Sequence, residues 1–595
     1  MLGKIISTKG DLIEVKLETE LSKIGKMVNY HIVFEEDNIK IIGEIKDIDI
    51  NIASVVLVGE IRNDIFYAGI TRKPSLNLSC RVINKEELKI ILGENVLFGK
   101  NMLNLGAVPL YGNYSMNVDV NEFFSNHFAI FGNTGSGKSY SVTKILQNLF
   151  YNKKEVAVNA KIFLFDAYGE YHNAFKRINE YSDKLHFKTY TTNLSFPDSE
   201  VLKIPLWLLG VDDIALLLGA DNHIQLPIIE KALRLVSIFA KEEEEVIIYK
   251  NDIIARALLE ILYSGNTPSQ IRDQIFAVLT AFNTKDLSLE SKLIQPGYIR
   301  TLRQCLIIDR DGKLAEMQLV TEFITSFIKE GLDLLLPDGS FPYTLDDLKD
   351  AFDFALISEG ILKSDRVYDY ANILKVRLHS LINSDNRYFL DYKGFISKKD
   401  YINQLSITPD GKRAQIINFN INYIDDRLAK TVTKIYSKML FDYSAELGER
   451  ASEPIHIILE EAHRYVQNDN DLFLLGYNIF DRITKEGRKY GIILGLISQR
   501  PSELSETSLS QCSNFLIFRM LHPHDSTFIK NMVPNITGEI VEKLKSLQAG
   551  TCIAFGLAFK LPVIVQFDLP NPPPKSHNAN VALRWYQKED EIEEL

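Results

Sequence analysis

The chain has 595 residues, of which 46% are hydrophobic and 24% charged, with a formal net charge of −11. These values are typical of a globular protein with several domains, and they exclude both a disordered chain and one coated with positive surface. No apolar run approaches the roughly 18 residues that a membrane-spanning helix needs, and the N-terminus lacks a signal-peptide core. We therefore expect a cytoplasmic protein without a membrane partner.

Residues 1–105 are predicted to form a small N-terminal β-barrel. Segments such as DLIEVKLE, YHIVFE and ASVVLVGEI alternate apolar and polar residues between turn residues. This period of two is typical of half-buried strands, and many short strands in succession indicate a barrel or sandwich.

The segment HFAIFGNTGSGKSYSVTKILQNLF, residues 127–150, predicts a phosphate-binding loop between a strand and a helix. Its glycines let successive backbone N–H groups face one anion, and the helix directs its positive dipole end at the same point. Lys138 would reach the β- and γ-phosphates of ATP, and Ser139 would ligate Mg²⁺. The predicted nucleotide-binding residues are Gly132, Asn133, Thr134, Gly135, Ser136, Gly137, Lys138, Ser139 and Tyr140.

Strands alternate with helices from this loop onward, which predicts an α/β core with a largely parallel sheet. We assign residues 106–211 and 392–570 to this core, residues 212–391 to an inserted helical bundle, and residues 571–595 to a C-terminal extension with an acidic tail. Within the insertion, Thr267, Pro268 and Gln270 form a helix start signal. The insertion carries no catalytic constellation, so we expect it mainly to pack.

The segment PIHIILEEAHRY, residues 454–465, predicts the second half of the nucleotide site. Its apolar strand would place Glu460 and Glu461 at the carboxyl edge of the sheet, where open α/β sheets bind ligands. We predict that Glu460 holds Mg²⁺, usually through a bound water molecule. Glu461 is predicted to be the base that activates the water that attacks the γ-phosphate.

The ordered set of motifs resembles the HerA-type ATPases, which belong to the FtsK/HerA branch of RecA-like motors. The motifs are FGNTGSGKSY, FDAYGEY, ILEEAHRYV, EGRKYG and LISQRPSEL. The resemblance covers nearly the whole chain, because that family also has an N-terminal β-barrel and a helical insertion. It implies a RecA-like P-loop ATPase core.

The resemblance also implies a ring, expected to be a hexamer, that moves along double-stranded DNA with ATP bound between subunits. Carried over by position, Gln499 is a γ-phosphate sensor and Glu461 activates water. Arg488 is the candidate arginine finger for the neighbouring subunit's site, a role in which a delocalised cation offsets transition-state charge. Arg482, Arg500 and Arg519 compete for that role.

Two positions depart from the family pattern. Glu460 stands where RecA-like motors usually have aspartate, although glutamate is familiar within the HerA branch. Asp166 is followed by Ala167 and Tyr168, where the family favours Pro-His. Asp166 either orients the attacking water or the metal, and so is a catalytic candidate, or caps the following turn.

Family resemblance further implies a separate effector, either a nuclease or a sirtuin-like NAD-consuming enzyme, with anti-phage defence as one setting. The sequence contains no second active-site motif of its own. Two alternatives stay open. The ring could be an ATP-regulated scaffold that activates its effector without translocating, or a coupling or secretion ATPase of the conjugation type.

Overall fold

The computed structural model describes residues 1–9, 12–18, 27–93, 101–151, 155–195, 199–240, 244–330, 341–359, 365–532, 538–576 and 581–585. In this part of the chain no helix is both long and apolar enough to cross a membrane. All four cysteines are buried and unpaired.

A β-barrel begins the chain, as the sequence predicts. Its strands pair in the order β2-β1-β7-β3-β4-β5, and β2 also pairs with β5, which closes the ring while β6 lies outside it. Alternate residues such as Ile13, Val15 and Val55 are buried inside. The elements are β1 (Gly3–Lys9), β2 (Leu12–Leu17), β3 (His31–Glu36), β4 (Ile39–Asp49), β5 (Ile52–Arg62), β6 (Ile65–Ala68), β7 (Ser79–Val82) and α1 (Lys85–Ile91).

A large sheet forms the core. Its first strands are β8 (Met102–Val108), β9 (Tyr114–Asp119), β10 (Phe128–Phe131), β11 (Lys161–Asp166), β12 (Phe187–Thr191) and β13 (Glu200–Val201). The others are β16 (Ile416–Asn420), β17 (Ile455–Leu459), β18 (Ile492–Ser498), β19 (Asn514–Phe518), β20 (Thr551–Gly556) and β21 (Phe559–Gln566). The boundary predicted at residue 105 falls inside β8.

The sheet has 12 strands in the order β13-β12-β16-β11-β17-β18-β10-β19-β20-β21-β8-β9. From β13 to β19 every neighbouring pair is parallel, whereas β19 through β9 pair antiparallel. Because these strands are parallel, the carboxyl ends of β10, β11, β17 and β18 lie at the same edge of the sheet. The prediction of a largely parallel sheet is confirmed for the part that forms this edge.

Helices around the sheet leave both of its faces buried. Phe163 and Phe165 of β11 pack into one apolar core, while Ile162 and Leu164 pack into the other. The core helices are α2 (Val120–Phe124), α3 (Lys138–Phe150), α4 (His172–Phe175), α13 (Lys398–Leu405), α14 (Asp426–Ala445), α15 (Asp471–Leu475), α16 (Ile479–Tyr490), α17 (Glu506–Ser510), α18 (Pro523–Met532), α19 (Gly538–Lys545) and α20 (Val581–Trp585).

The helical insertion is present between β13 and β16. Thr267 and Gln270 cap its helix α8 reciprocally, as predicted, with Gln270 Oε1 accepting from Thr267 N at 3.1 Å. Its helices are α5 (Val211–Leu218), α6 (Gln225–Phe239), α7 (Glu244–Leu262), α8 (Pro268–Ala281), α9 (Leu302–Cys305), α10 (Met317–Thr325), α11 (Leu345–Glu359) and α12 (Asp365–Ile382). A hairpin of β14 (Lys292–Gln295) and β15 (Tyr298–Thr301), not predicted from the sequence, interrupts it.

Candidate nucleotide site

The loop between β10 and α3 curls as a phosphate-binding loop does. Gly135 has φ +73° and Gly137 has φ +104°, conformations that favour glycine. A Cβ at Gly137 would lie 2.7 Å from the backbone nitrogen of Gly550, so this position also lacks room for a side chain. Asn133 N donates to Arg519 O at 3.0 Å, and Ser136 O accepts from Gly550 N at 2.9 Å. The loop is therefore anchored at both ends.

Lys138 begins α3 and points back into the loop. Its buried ammonium group donates to Gly132 O at 2.5 Å and to Asn133 O at 3.2 Å. Burial lowers the pKa of Lys138, and the charges of Glu461, Glu460 and Glu170 oppose that shift. Tyr140, also predicted to bind nucleotide, is half-buried in the first turn of α3.

Glu460 follows β17 directly, and the structure brings it to the loop. Ser139 Oγ donates to Glu460 Oε1 at 3.4 Å. The glutamate is only 3% exposed, and its Oε2 is buried without a hydrogen-bond partner among the described residues. Burial and the charges of Asp166, Glu170 and Glu461 raise its pKa well above the ordinary range.

Glu461 lies in a hydrogen-bonded chain that reaches the loop. Its Oε1 accepts from Gln499 Nε2 at 3.0 Å, and Gln499 Oε1 accepts from Thr134 Oγ1 at 2.7 Å. His463 Nδ1 lies 3.3 Å from Glu461 Oε2. Burial raises the pKa of Glu461 and lowers that of His463, so the imidazole is neutral near pH 7. Four predicted site residues, Thr134, Glu460, Glu461 and Gln499, thus meet at one edge of the sheet.

Asp166 is fully buried at the end of β11, beside Glu460. Its Oδ1 accepts from Gly169 N at 2.7 Å and Glu170 N at 3.0 Å, and its Oδ2 accepts from Tyr171 N at 3.1 Å. Both oxygens are engaged by the turn that follows the strand. Of the two interpretations of Asp166, these contacts favour the capping one.

Arg488 is not brought to the site of its own chain. It is exposed near the end of α16, beside His127, which precedes β10. Strand β18 follows α16 and runs parallel to β10, so Arg488 lies at the edge of the sheet opposite to the loop. Among its competitors, Arg482 lies on the same helix over the ring of Phe441. Arg500 and Arg519 follow β18 and β19 on the loop's side of the sheet.

Sequence reasoning did not place Glu170 among the site residues. Both Ser139 and Lys138 lie close enough to the Glu170 carboxyl to lower its pKa, while burial raises that pKa. The signal was present in the motif FDAYGEY, whose second acidic residue follows Asp166 by four positions. The turn between Asp166 and Glu170 determines where the Glu170 side chain lies.

The residues present fit a hydrated Mg²⁺ bound with nucleotide phosphates. No group of three or more His, Cys, Asp or Glu side chains could hold a metal alone, within the described ranges. Magnesium in such sites takes one or two protein oxygens and completes its shell with phosphate and water. The Ser139 hydroxyl and the unpartnered Oε2 of Glu460 are donors of that kind.

Comparison with known proteins gives a consistent result. A family model described as the central domain of the helicase HerA matches residues 103–331. A probable helicase of Methanocaldococcus jannaschii is 24% identical over an alignment that covers 100% of this chain and 94% of that protein. The DNA double-strand break repair helicase HerA of Pyrococcus furiosus is 24% identical, covering 79% of this chain and 70% of that protein.

Among solved structures, VirB4 of Thermoanaerobacter pseudethanolicus aligns with a TM-score of 0.41 at 12% identity, covering 79% of this chain and 97% of that chain. The family model spans the phosphate-binding loop, and the alignment with the probable helicase extends over the whole chain. The chain is thus similar to HerA-type helicases over its length, and it is a P-loop ATPase.

Proposed function

We propose that this chain is the subunit of a ring, expected to be a hexamer, that hydrolyses ATP to move along double-stranded DNA. The observation that carries the proposal is the chain of hydrogen bonds from Thr134 through Gln499 to Glu461. It joins the phosphate loop to a carboxylate able to activate water. The curated relatives named as helicases support DNA as the substrate of the motion.

Hydrolysis follows from the placement of the side chains. The backbone N–H groups of residues 132–139 and the ammonium group of Lys138 hold the phosphates. When nucleotide binds, Lys138 gives up its hydrogen bonds to the carbonyls of Gly132 and Asn133 and donates to phosphate oxygens instead. Glu461 accepts a proton from the attacking water, and Gln499 holds the Glu461 carboxylate toward the γ-phosphate. Bound Mg²⁺, held by Ser139 and Glu460, would neutralise phosphate charge.

The position of Arg488 is an argument in favour of a ring. A cation at the opposite edge of the sheet cannot reach the phosphates of its own subunit, but it can face those of a neighbour in a head-to-tail ring. We propose that it acts there as the arginine finger. Each site would then be completed by the adjacent subunit.

We propose that a separate effector, a nuclease or a sirtuin-like NAD-consuming enzyme, works with this ring, with anti-phage defence as one setting. The absence of a second active-site motif from the sequence supports a separate protein. The N-terminal barrel is the surface proposed to dock it. Co-purification of an effector with the full chain, lost when the barrel's exposed residues are changed, is the expected result.

The function is tested by the ATPase rate of the purified protein with and without linear duplex DNA. Several-fold stimulation by duplex, abolished in Lys138→Ala, is expected. A rate that depends on Lys138 but ignores DNA would contradict the motor and favour the ATP-regulated scaffold. A rate unchanged in Lys138→Ala would contradict the nucleotide site itself.

A further inference from the structure

The turn after β11 fixes the backbone of Glu170 beside the phosphate loop. Gly169 has φ +72°, and a Cβ at this position would lie 2.8 Å from the Nδ2 atom of Asn420 in β16. Asp166 accepts a hydrogen bond from the N–H of Glu170 at 3.0 Å. The position of Glu170 is therefore set by buried groups.

The carboxylates of Glu170 and Glu460 flank the same hydroxyl, that of Ser139. Ser139 Oγ donates to Glu460 Oε1 at 3.4 Å, and the same hydroxyl lies close enough to Glu170 to lower the pKa of its carboxyl. Oε2 of each glutamate is buried without a hydrogen-bond partner among the described residues. Buried polar atoms are normally satisfied, so two orphaned oxygens beside one hydroxyl require a donor or a cation.

A segment near the C-terminus holds Glu170 from the other side. Lys575 N donates to Glu170 O at 2.8 Å, and Ser576 lies close enough to the Glu170 carboxyl to lower its pKa. The same segment is attached to α3, because Gln147 Nε2 donates to Pro572 O at 2.8 Å. We call residues 571–576 the strap. It ties the turn that carries Glu170 to the helix that carries Ser139.

We propose that Glu170 is a second carboxylate of the magnesium site, acting with Glu460 as an acceptor for the hydrated ion of bound nucleotide, and that the strap positions it. This inference rests on the proposed nucleotide site. Glu461 accepts a hydrogen bond from Gln499, which in turn accepts one from Thr134, and so serves the opposite side of the phosphates. The two carboxylate roles are thus divided between the Ser139 side and the Gln499 side of the loop.

The experiment is a titration of a fluorescent ADP analogue with the full chain, at several Mg²⁺ concentrations and in EDTA. Glu170→Gln should bind the analogue as the wild type does in EDTA, but should need roughly tenfold more Mg²⁺ for the same gain in affinity, as when an outer-shell ligand is lost. Electron paramagnetic resonance of Mn²⁺ in place of Mg²⁺ reports the loss of metal binding directly. Glu180→Gln, an exposed carboxylate beyond α4, is the matched control and should behave as wild type.

An unchanged Mg²⁺ requirement in Glu170→Gln would overturn the proposal, and so would loss of nucleotide binding in EDTA, which would mark a purely structural role. Ser576→Ala should raise the Mg²⁺ requirement less than Glu170→Gln does, and no change would overturn the strap's part. Failure of the proposed nucleotide site would show itself in either of two other ways. The wild type would not bind the analogue at all, or Lys138→Ala would bind it as tightly as the wild type.

Discussion

At the scale of single residues, Glu461 has a backbone conformation that side-chain-bearing residues rarely adopt. Its φ is +48° and its ψ is +47°. Such conformations cost roughly 1–3 kcal/mol and persist where surrounding structure enforces them, often at active sites. Here the reversal after β17 turns the carboxylate toward Gln499. The residue proposed as the catalytic base is therefore also one whose backbone is strained.

Glu461→Gln should lower the ATPase rate at least about a hundredfold, because a general base contributes about 10²–10⁴-fold. ATP binding should be retained, since the amide oxygen still accepts from Gln499. Single-turnover hydrolysis and nucleotide titration separate the two effects. Glu503→Gln, an exposed glutamate paired with Arg500, is the control. Hydrolysis at the wild-type rate in Glu461→Gln would contradict the assignment.

Gly137→Ala should abolish nucleotide binding, whereas Gly135→Ala should weaken it modestly. Both have positive φ, which costs a side-chain-bearing residue roughly 1–2 kcal/mol. Only at Gly137 would the added Cβ meet backbone, 2.7 Å from Gly550 N; at Gly135 it meets nothing within 4 Å. The dissociation constant of a fluorescent ADP analogue measures the difference, and equal losses in the two variants would contradict it.

At the scale of elements, strand β3 of the barrel is fastened to the core through one buried histidine. Tyr111, which follows β8, accepts from His31 N at 3.1 Å and contacts His31 Nδ1 through its hydroxyl. Burial lowers the pKa of His31 to about 4; Glu44 raises it, and Lys46 and Lys543 lower it further. The folded barrel therefore holds this imidazole neutral.

Docking of the barrel should weaken as the pH falls below 6.5. The folded-state pKa of His31 is depressed, so its stabilisation is complete above the unfolded value of 6.5 and is lost progressively as the pH approaches 4. The full difference is about 3 kcal/mol. Hydrogen exchange of peptides spanning β3, compared at pH 7.5 and 5, measures it. His31→Gln should remove most of this pH dependence and exposed His524→Gln none; equal behaviour of the two variants would contradict it.

At the scale of the whole molecule, the parallel part of the large sheet separates the phosphate-binding loop from Arg488, the proposed arginine finger. Gln499 follows β18 at the loop's edge, and Arg488 precedes the same strand. A strand of 7 residues spans about 23 Å, which no arginine side chain bridges. In the proposed ring, Arg488 would therefore meet the phosphates bound by a neighbouring subunit.

Arg488→Ala should reduce the ATPase rate at least about a thousandfold, the lower range for an arginine finger, and should leave ATP binding intact. Mixing it with Lys138→Ala subunits should restore part of the rate, because some interfaces then pair an intact loop with an intact arginine. Lys489→Ala, a neighbouring exposed cation, should hydrolyse ATP normally. Absence of recovery on mixing, or an unaffected Arg488→Ala, would contradict the role in trans.

The local features of this protein can be read directly from its amino-acid sequence. The glycine spacing, the apolar runs before Gly132 and Glu460, and the cap at Thr267 depend on neighbours within a few positions, so their patterns predict loop, strand and helix directly. The α/β core, the barrel and the insertion followed from the same periodicities. The resemblance to HerA-type ATPases then supplied roles for residues such as Gln499.

Features that require distant segments of the chain to meet are visible only in the fold. Sequence could not divide the roles of Asp166 and Glu170, because the turn between them and the strap at residues 571–576 determine which carboxylate faces Ser139. Nor could it place Arg488 across the sheet from the loop, since that follows from strand order and direction. The hairpin of β14 and β15 was missed because KLIQ and YIRT are too short to show a period.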